Sequence, residues 1–400
     1  MRMRYSGIDW IGKIPESWEV KRMKDLFTER KEVSCTGNED LLSVSEYYGV
    51  ARRKDKISSD DEFESRADSL VGYKICKTND LVINIMLAWK TGLGISDYDG
   101  IVSPAYAVYK GKNIVPHYYH YLLRDRLYVA EFKRYSKGII DSRLRLYNDR
   151  FNNISAIYPP LSEQRIIADY LDKKCSEIDR QVSLLTSKRD AYLRLKKSII
   201  NRAVTKGLNP NVKMKDSGVD WIGEVPEGWN VMHMKRALSF NNGRDYKHVE
   251  VDEGYPVIGS GGQFAYASEY LYDGEAILFG RKGTIDKPMH INDKFWTVDT
   301  MFYAIPKGNA YGRYLFYQAN AMPLNKYSTQ TALPSMTQTS LQNILICLPP
   351  LSEQHSIATY LDDKCSKIDR IISNLDKQIS KYGELKRSLI DEVITGKRAV

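Results

Sequence analysis

Arg281-Lys282-Gly283-Thr284 places two cations and a hydroxyl on a glycine-bearing turn, directly behind the apolar run Glu275-Ala276-Ile277-Leu278-Phe279-Gly280. The chemistry this suits is the reading of nucleic acid. A glycine turn can approach a groove closely, and an arginine can bond guanine O6 and N7 with both prongs. Ser142-Arg143-Leu144-Arg145 stands at a similar distance before a Pro-Pro pair in the first half of the chain, and Gln330 and Gln338 occupy the matching place in the second. Arg281, Lys282, Thr284, Arg143, Arg145, Gln330 and Gln338 are therefore the candidate DNA contacts. A solvated basic loop would carry the same residue types.

Catalytic patterns are missing from the sequence. No GxxxxGK[ST] loop is present, and no GxGxxG follows a strand-like run. Tyr158-Pro159-Pro160-Leu161 and Leu348-Pro349-Pro350-Leu351 lack the Asn/Asp-Pro-Pro-aromatic pattern by which amino-methyltransferases hold a target amine. Asp9 with Glu19-Val20-Lys21 faintly suggests a metal-nuclease carboxylate pair, yet the corresponding stretch later in the chain reads Asp220 with Asn230-Val231-Met232. Six histidines show no ligand clustering, and the cysteines at 35, 76, 175, 347 and 365 form no CxxC. The expectation is no catalytic constellation and no metal site.

The elements that must position the candidates are duplicated. Pro159-Pro160-Leu161-Ser162-Glu163-Gln164 and the amphipathic run behind it return from Pro349, 190 residues on. Ser6-Gly7-Ile8-Asp9-Trp10-Ile11-Gly12 returns from Ser217, 211 residues on. Two copies are too few for a solenoid and imply an internal pseudo-two-fold. Leu171, Ile178, Leu185, Tyr192 and Ile199 recur every seven residues, as do Leu361, Ile368, Leu375, Tyr382 and Leu389. This seam predicts two coiled-coil helices, most simply paired with each other. The first, from Ser162 to about Val204, would be roughly 60 Å long at ~1.5 Å per residue. Ser162 is expected to cap it, with Leu161 and Ile166 as a hydrophobic staple; Ser356 removes the staple from the second copy.

Between these repeats lie two blocks with little sequence in common, residues 25–158 and 230–348. In the first, Asp80–Ile85 and Gly100–Tyr109 read as strands, His117–Arg134 as a helix, and Ser58–Glu64 as a solvated acidic loop. In the second, Glu275–Gly280 reads as a strand and Gly312–Ala321 as a helix matching the first block's. Irregularly mixed strands and helices indicate α+β domains. The expected boundaries are 1–160, a long helix over 161–206, a connector over 207–216, a second domain over 217–350, and a second long helix over 351–400. Trp10, Pro15 and Trp18, and again Trp221, Pro226 and Trp229, read as loops pinned by buried rings.

The chain of 400 residues has 42% apolar and 27% charged content, as a globular protein does. Its net charge of +9 favours an anionic partner, nucleic acid first. No apolar run approaches the ~20 residues that span a bilayer, and no signal-peptide core follows Met1, so a cytoplasmic location is expected.

Taken together, the Ser6–Gly12 motif with Ile14-Pro15 and Trp18, the doubled Pro-Pro-Leu-Ser-Glu-Gln helix, Gly280–Thr284, and Gly100–Tyr106 resemble the specificity subunit of type I restriction–modification systems. The resemblance covers essentially the whole chain. It implies two globular mixed α/β target-recognition domains joined by two long antiparallel coiled-coil helices. Each domain would read one half of a bipartite, asymmetric double-stranded DNA site. The helices would dock two methyltransferase subunits, and these would recruit two restriction–translocase subunits. By the same resemblance the chain itself would be non-catalytic and bind no cofactor, while the complex would use S-adenosylmethionine, ATP and Mg through its partners. An autonomous DNA-modifying enzyme, a single-chain nuclease or methylase, is the alternative.

Overall fold

The structure is a computed structural model and describes residues 2–55, 69–329 and 334–400. The Ser58–Glu64 loop and Gln330 lie outside the described residues. The chain divides into two units: Met1–Leu184 with Ile379–Val400, and Leu185–Gln378. Each holds one globular block and one half of each long helix.

In the first unit, Leu81–Asn84 and Tyr106–Gly111 form the centre of a four-stranded antiparallel sheet, flanked by Leu93–Ile95 and Phe27–Glu29. Alternation along the strands feeds two cores. Leu81, Ile83, Ala107 and Tyr109 face a helical layer through Tyr118, Tyr119, Leu122, Tyr128 and Phe132, while Val82 and Val108 face a smaller cluster with Leu42, Val44 and Val102. The Gly100–Tyr109 run is two strands, Gly100–Val102 and Tyr106–Gly111, because Ser103-Pro104-Ala105 turns the chain between them. The single helix expected over His117–Arg134 is likewise two, Pro116–Arg124 and Arg126–Tyr135. Asp125 is extended between them and caps the second by accepting the Leu127 N–H.

The second unit carries a different sheet on the same frame. Seven strands run in the order Leu238–Asn242, Met301–Pro306, Tyr272–Gly280, Met289–Thr297, Tyr255–Gly259, Gly262–Ala267, Glu250–Val251. All pairings are antiparallel except Val257 with Trp296 and Ile258 with Thr297. Ile277, Phe279 and Ala304 pack on the Gly312–Ala321 helix, while Ala276, Leu278 and Met301 fill a separate cluster on the other face.

The frame itself repeats closely. Met3–Tyr5 pairs with Lys13–Pro15, and Met214–Asp216 with Glu224–Pro226. Glu19–Arg22 pairs with Ser155–Tyr158, and Asn230–His233 with Leu345–Leu348.

The long helices span Leu161–Lys206 and Leu351–Ile394. Within each unit their segments run antiparallel. In the second unit Arg189 meets Asp376 at 3.5 Å and Lys196 meets Asp369 at 2.7 Å, so seven residues forward on one helix are seven back on the other. In the first unit Lys386 meets Asp179 at 2.7 Å, while Ile167, Ala168, Leu171 and Ile178 share a core with Leu389, Val393 and Ile394. Exposed ion pairs contribute only about 0–1 kcal/mol each, so their role is to fix register. Leu171, Ile178, Leu361, Ile368, Leu375 and Leu389 are buried, and Leu185, Tyr192, Ile199 and Tyr382 half-buried. The apolar seam is thus buried along the starting half of each helix and more open along most of the finishing half.

The helix starts differ from expectation. The first helix begins at Leu161, with the Gln164 N–H bonded to the Pro160 carbonyl at 3.0 Å, so Ser162 lies in the first turn rather than at the cap. Leu161 and Ile166 are 45% and 52% exposed, so no staple forms. Polar side chains fix the entry of the chain instead.

Candidate nucleic-acid interface

The two repeated motifs meet at those helix starts. Trp18, buried on the Ser6–Trp18 segment, donates its indole Nε1–H to Glu163 Oε2 at 2.6 Å, and Trp229 does the same to Glu353 Oε2 at 3.0 Å. The next residue is a fully buried glutamine. Gln164 accepts the Val115 N–H at 2.8 Å and donates to the Pro159 carbonyl at 2.8 Å. Gln354 accepts the Tyr311 N–H at 2.8 Å and donates to the Pro349 and Asn309 carbonyls, each at 2.9 Å. Val115 and Tyr311 are the cap positions of the Pro116–Arg124 and Gly312–Ala321 helices. Neither has a side chain that can cap, so glutamine from the long helix orients the chain there.

Two further joints repeat. Tyr118 donates its hydroxyl to the Ile394 carbonyl at 3.1 Å, and Tyr314 to the Val204 carbonyl at 3.2 Å, each meeting a carbonyl in the last turns of a long helix. Asp172 accepts from Tyr121 at 2.7 Å and lies 3.0 Å from His117; Asp362 accepts from Tyr317 and Arg313, each at 2.6 Å. Burial and these carboxylates together push the Tyr121 and Tyr317 hydroxyls well above the usual phenol range, so both remain donors. Sequence reasoning missed these joints. The signal available was that Trp18, Glu163, Gln164 and Asp172 all recur in the second copy.

On this mount the second unit presents the basic turn. A Cβ on Gly280 would collide with the Thr284 carbonyl, and Gly283 has φ +80°, where a side chain is strained. The Arg281 N–H bonds the Thr300 carbonyl at 2.8 Å, its carbonyl accepts the Met336 N–H at 2.9 Å, and the Gly283 N–H bonds Pro334 at 3.1 Å. The backbone is thereby fixed on both sides while Arg281 and Lys282 point outward, exposed, with no carboxylate partner among the described residues. The Arg281 guanidinium stands 5.8 Å from the Phe302 ring centroid. Thr284 is half-buried at the base of the turn. Gln338, also half-buried, opens the Gln338–Asn343 helix two residues after Met336, which brings it to the same neighbourhood. Ser260, at the Tyr255–Gly259 hairpin tip, approaches Gly283 within van der Waals distance of a Cβ there.

In the first unit, Arg143 and Arg145 lie on the Lys137–Arg145 loop, closed by reciprocal backbone bonds between Lys137 and Arg145 at 2.9 Å. Arg143 is exposed. Arg145 is half-buried, with one guanidinium nitrogen on the Leu144 carbonyl at 3.0 Å. In the second unit the Thr329 N–H bonds the Ser335 carbonyl at 2.9 Å.

If Arg281 reads a base, Arg281→Ala should cost roughly 1–3 kcal/mol and relax one position of the selected site. If it meets only phosphate, all sequences should weaken alike with a shallower salt slope. Titrations of a selected and a scrambled duplex at several salt concentrations separate the two, and unchanged affinity for both removes Arg281 from the interface.

A duplicated frame thus carries two unlike sheets, each with a loop bearing exposed cations. The family model described as the type I restriction modification DNA specificity domain matches residues 226–381. The MjaVIII specificity subunit of Methanocaldococcus jannaschii, from a type I restriction enzyme, is 24% identical, covering 96% of this chain and 94% of that protein. The StySPI specificity subunit of Salmonella potsdam, also from a type I restriction enzyme, is 20% identical over 96% and 90%. A solved chain from a study of complex assembly and conformational transition in the type I R-M system superposes with TM-score 0.71 at 15% identity, over 96% of this chain and 99% of that one. Over nearly its whole length the chain is thus similar to specificity subunits of type I restriction enzymes, and it shares the fold of that solved chain. Among the described residues, no helix is long and apolar enough to cross a membrane.

Proposed function

We propose that this chain selects the DNA on which a type I restriction–modification complex acts. The unit built on the four-stranded sheet reads one half of a bipartite, asymmetric site, and the unit built on the seven-stranded sheet reads the other. The long helices dock two methyltransferase subunits, and through them two restriction–translocase subunits. S-adenosylmethionine, ATP and Mg are used by those partners and not by this chain.

The observation that carries this reading is the identical mounting of unlike heads. Trp-Glu, Gln-amide, Tyr-carbonyl and Tyr-Asp joints are reproduced residue for residue, while the sheets they hold differ in strand number and order. A protein that needed two copies of one activity would keep the heads alike. One that must recognise two different sequences would vary the heads and keep the mounts.

Exchanging residues 25–158 for the corresponding block of a relative should change one half of the methylated site and leave the other half intact. Mapping adenine methylation in a genome that carries the complete system, before and after the exchange, reads both halves at once. Each base pair no longer matched costs about 1–3 kcal/mol, so the old half-site should drop out of the map. A change in both halves would show that the units do not read separately.

A further inference from the structure

The Lys137–Arg145 loop exposes the wrong residues for a plain basic turn. Ile139 is 100% exposed and Ile140 is 55% exposed, side by side at its tip. The tip is nevertheless held in place. A Cβ on Gly138 would come within 2.6 Å of the Arg143 carbonyl, so the chain is pinched behind the isoleucines. Asp141 holds Lys133 of the Arg126–Tyr135 helix at 3.0 Å, and the buried Leu146 donates its N–H to the Ile85 carbonyl at 2.9 Å. Lys133 and Lys90 stand 5.1 and 4.8 Å from the Trp89 ring centroid, which ties the loop region to a second basic segment.

Two branched apolar side chains kept in water are unfavourable unless something covers them. The surroundings say what. Lys90, Lys137, Arg143 and Arg145 meet no carboxylate among the described residues. An apolar tip on a loop that itself carries Lys137, Arg143 and Arg145 matches a polyanion with an apolar interior, which is a base step of duplex DNA between its phosphates. An apolar pocket on a protein partner would have to supply acids as well.

We propose that Ile139 and Ile140 form a wedge that inserts at one base step of the half-site read by the first unit, with Arg143 and Lys137 on the flanking phosphates. The inference rests on the reading of this chain as the DNA-selecting subunit. Insertion unstacks bases, so the step is recognised by its ease of deformation, which favours pyrimidine–purine steps such as TA or CA. The wedge therefore adds a sequence preference without a hydrogen bond.

The test uses the full-length chain with its methyltransferase and a duplex selected by that complex from a random pool. 2-Aminopurine is placed at successive positions of the first half-site. A fluorescence rise on binding is expected at one step only, and the Ile139→Ser/Ile140→Ser variant should lose it. That variant should bind roughly tenfold more weakly, with the salt slope unchanged because the phosphate contacts remain. Absence of any rise with the unaltered complex overturns the wedge, as does a rise that survives the double substitution. Loss of the methyltransferase from the variant while the rise persists overturns it in favour of protein docking. A complex that selects no duplex at all removes the DNA-selecting reading and the wedge with it; a selected duplex that shows no rise removes the wedge alone.

Discussion

Replacing Gln164 by leucine is expected to destabilise the unit formed by Met1–Leu184 and Ile379–Val400 by about 2–4 kcal/mol, a large share of the stability of an ordinary domain. Leucine fills similar space but can neither accept the Val115 N–H nor donate to the Pro159 carbonyl, bonds of 2.8 Å each. The Pro159 bond is buried and the Val115 bond partly so. Leaving such groups unpaired costs about 1–3 kcal/mol apiece, the lower end applying where water can reach. Urea unfolding measures the total. Hydrogen exchange locates it: protection should fall across the Pro116–Arg124 helix and stay unchanged across Gly312–Ala321. Gln354→Leu should reverse that pattern with a somewhat larger cost, since three bonds are lost. A loss under about 0.5 kcal/mol in both variants would mean the amides do not hold the mounts together.

The clamp also shows where sequence reasoning stops. The heptads and the 190-residue repeat were legible because both are periodic, and periodicity survives without knowledge of tertiary partners. The helix start was misread because Ser162 satisfies a local capping rule, whereas Gln164 answers to Val115, 49 residues away in the chain. Glu163 suited the helix dipole and does stand in the first turn, but its hydrogen-bond partner is Trp18. The sheets were the least legible part. Runs such as Leu81–Asn84 and Ile277–Phe279 read correctly as strands, yet four strands against seven depends on which runs pair, and pairing is long-range. Asp125 split an expected helix because its side chain caps the second half better than it would continue the first.

At the candidate interface, the Arg281 turn was legible because its glycines announce backbone that side chains cannot adopt. Thr300, Pro334 and Met336, which hold that turn, were not. Ile139 and Ile140 do carry a signal in the sequence: two adjacent branched apolar residues follow Gly138, lie outside any helical or strand period, and are flanked by cations.

The second large effect is a stability maximum for the first unit near pH 6.5, set by two histidines one helical turn apart. His120 packs against Gly49 and Gly94 and accepts the Ile95 N–H at 3.3 Å through Nδ1. Burial first, and then the charges of Arg124 and His117, hold its pKa down to about 4. Between about 4 and 6.5 the unfolded chain takes up a proton that the folded imidazole refuses, so stability is full above 6.5 and falls as the pH drops toward 4. His117 behaves in the opposite way. Its Nε2 faces Asp97 at 3.3 Å and its Nδ1 faces Asp172 at 3.0 Å. The hydrogen bond to Asp97, reinforced by the charge of Asp172, raises its pKa to about 9 against the cost of burial. Its contribution is full below 6.5 and is lost as the pH climbs through 9. A shift of this size on a buried group corresponds to about 3 kcal/mol at most; His120 keeps some contact with solvent, so about 2 kcal/mol is expected on the acid side. His117 is 42% exposed and its pair is screened, which leaves about 1 kcal/mol or less on the alkaline side. The hydrogen bond from His117 holds Asp97 below the usual carboxylate range and those from Thr78 and Lys77 hold Asp99 at about 2, so their contributions are lost only at lower pH than the His120 limb; burial raises Asp125, whose contribution has the opposite sign to that limb. Urea midpoints measured from pH 4.5 to 9 should therefore trace an asymmetric dome, steeper toward acid. His120→Gln should flatten the acid limb and leave the alkaline limb in place. An acid limb unchanged in that variant would assign the loss to other groups, and a midpoint that rises steadily up to pH 9 would show that Asp97 and Asp172 do not stabilise a charged His117.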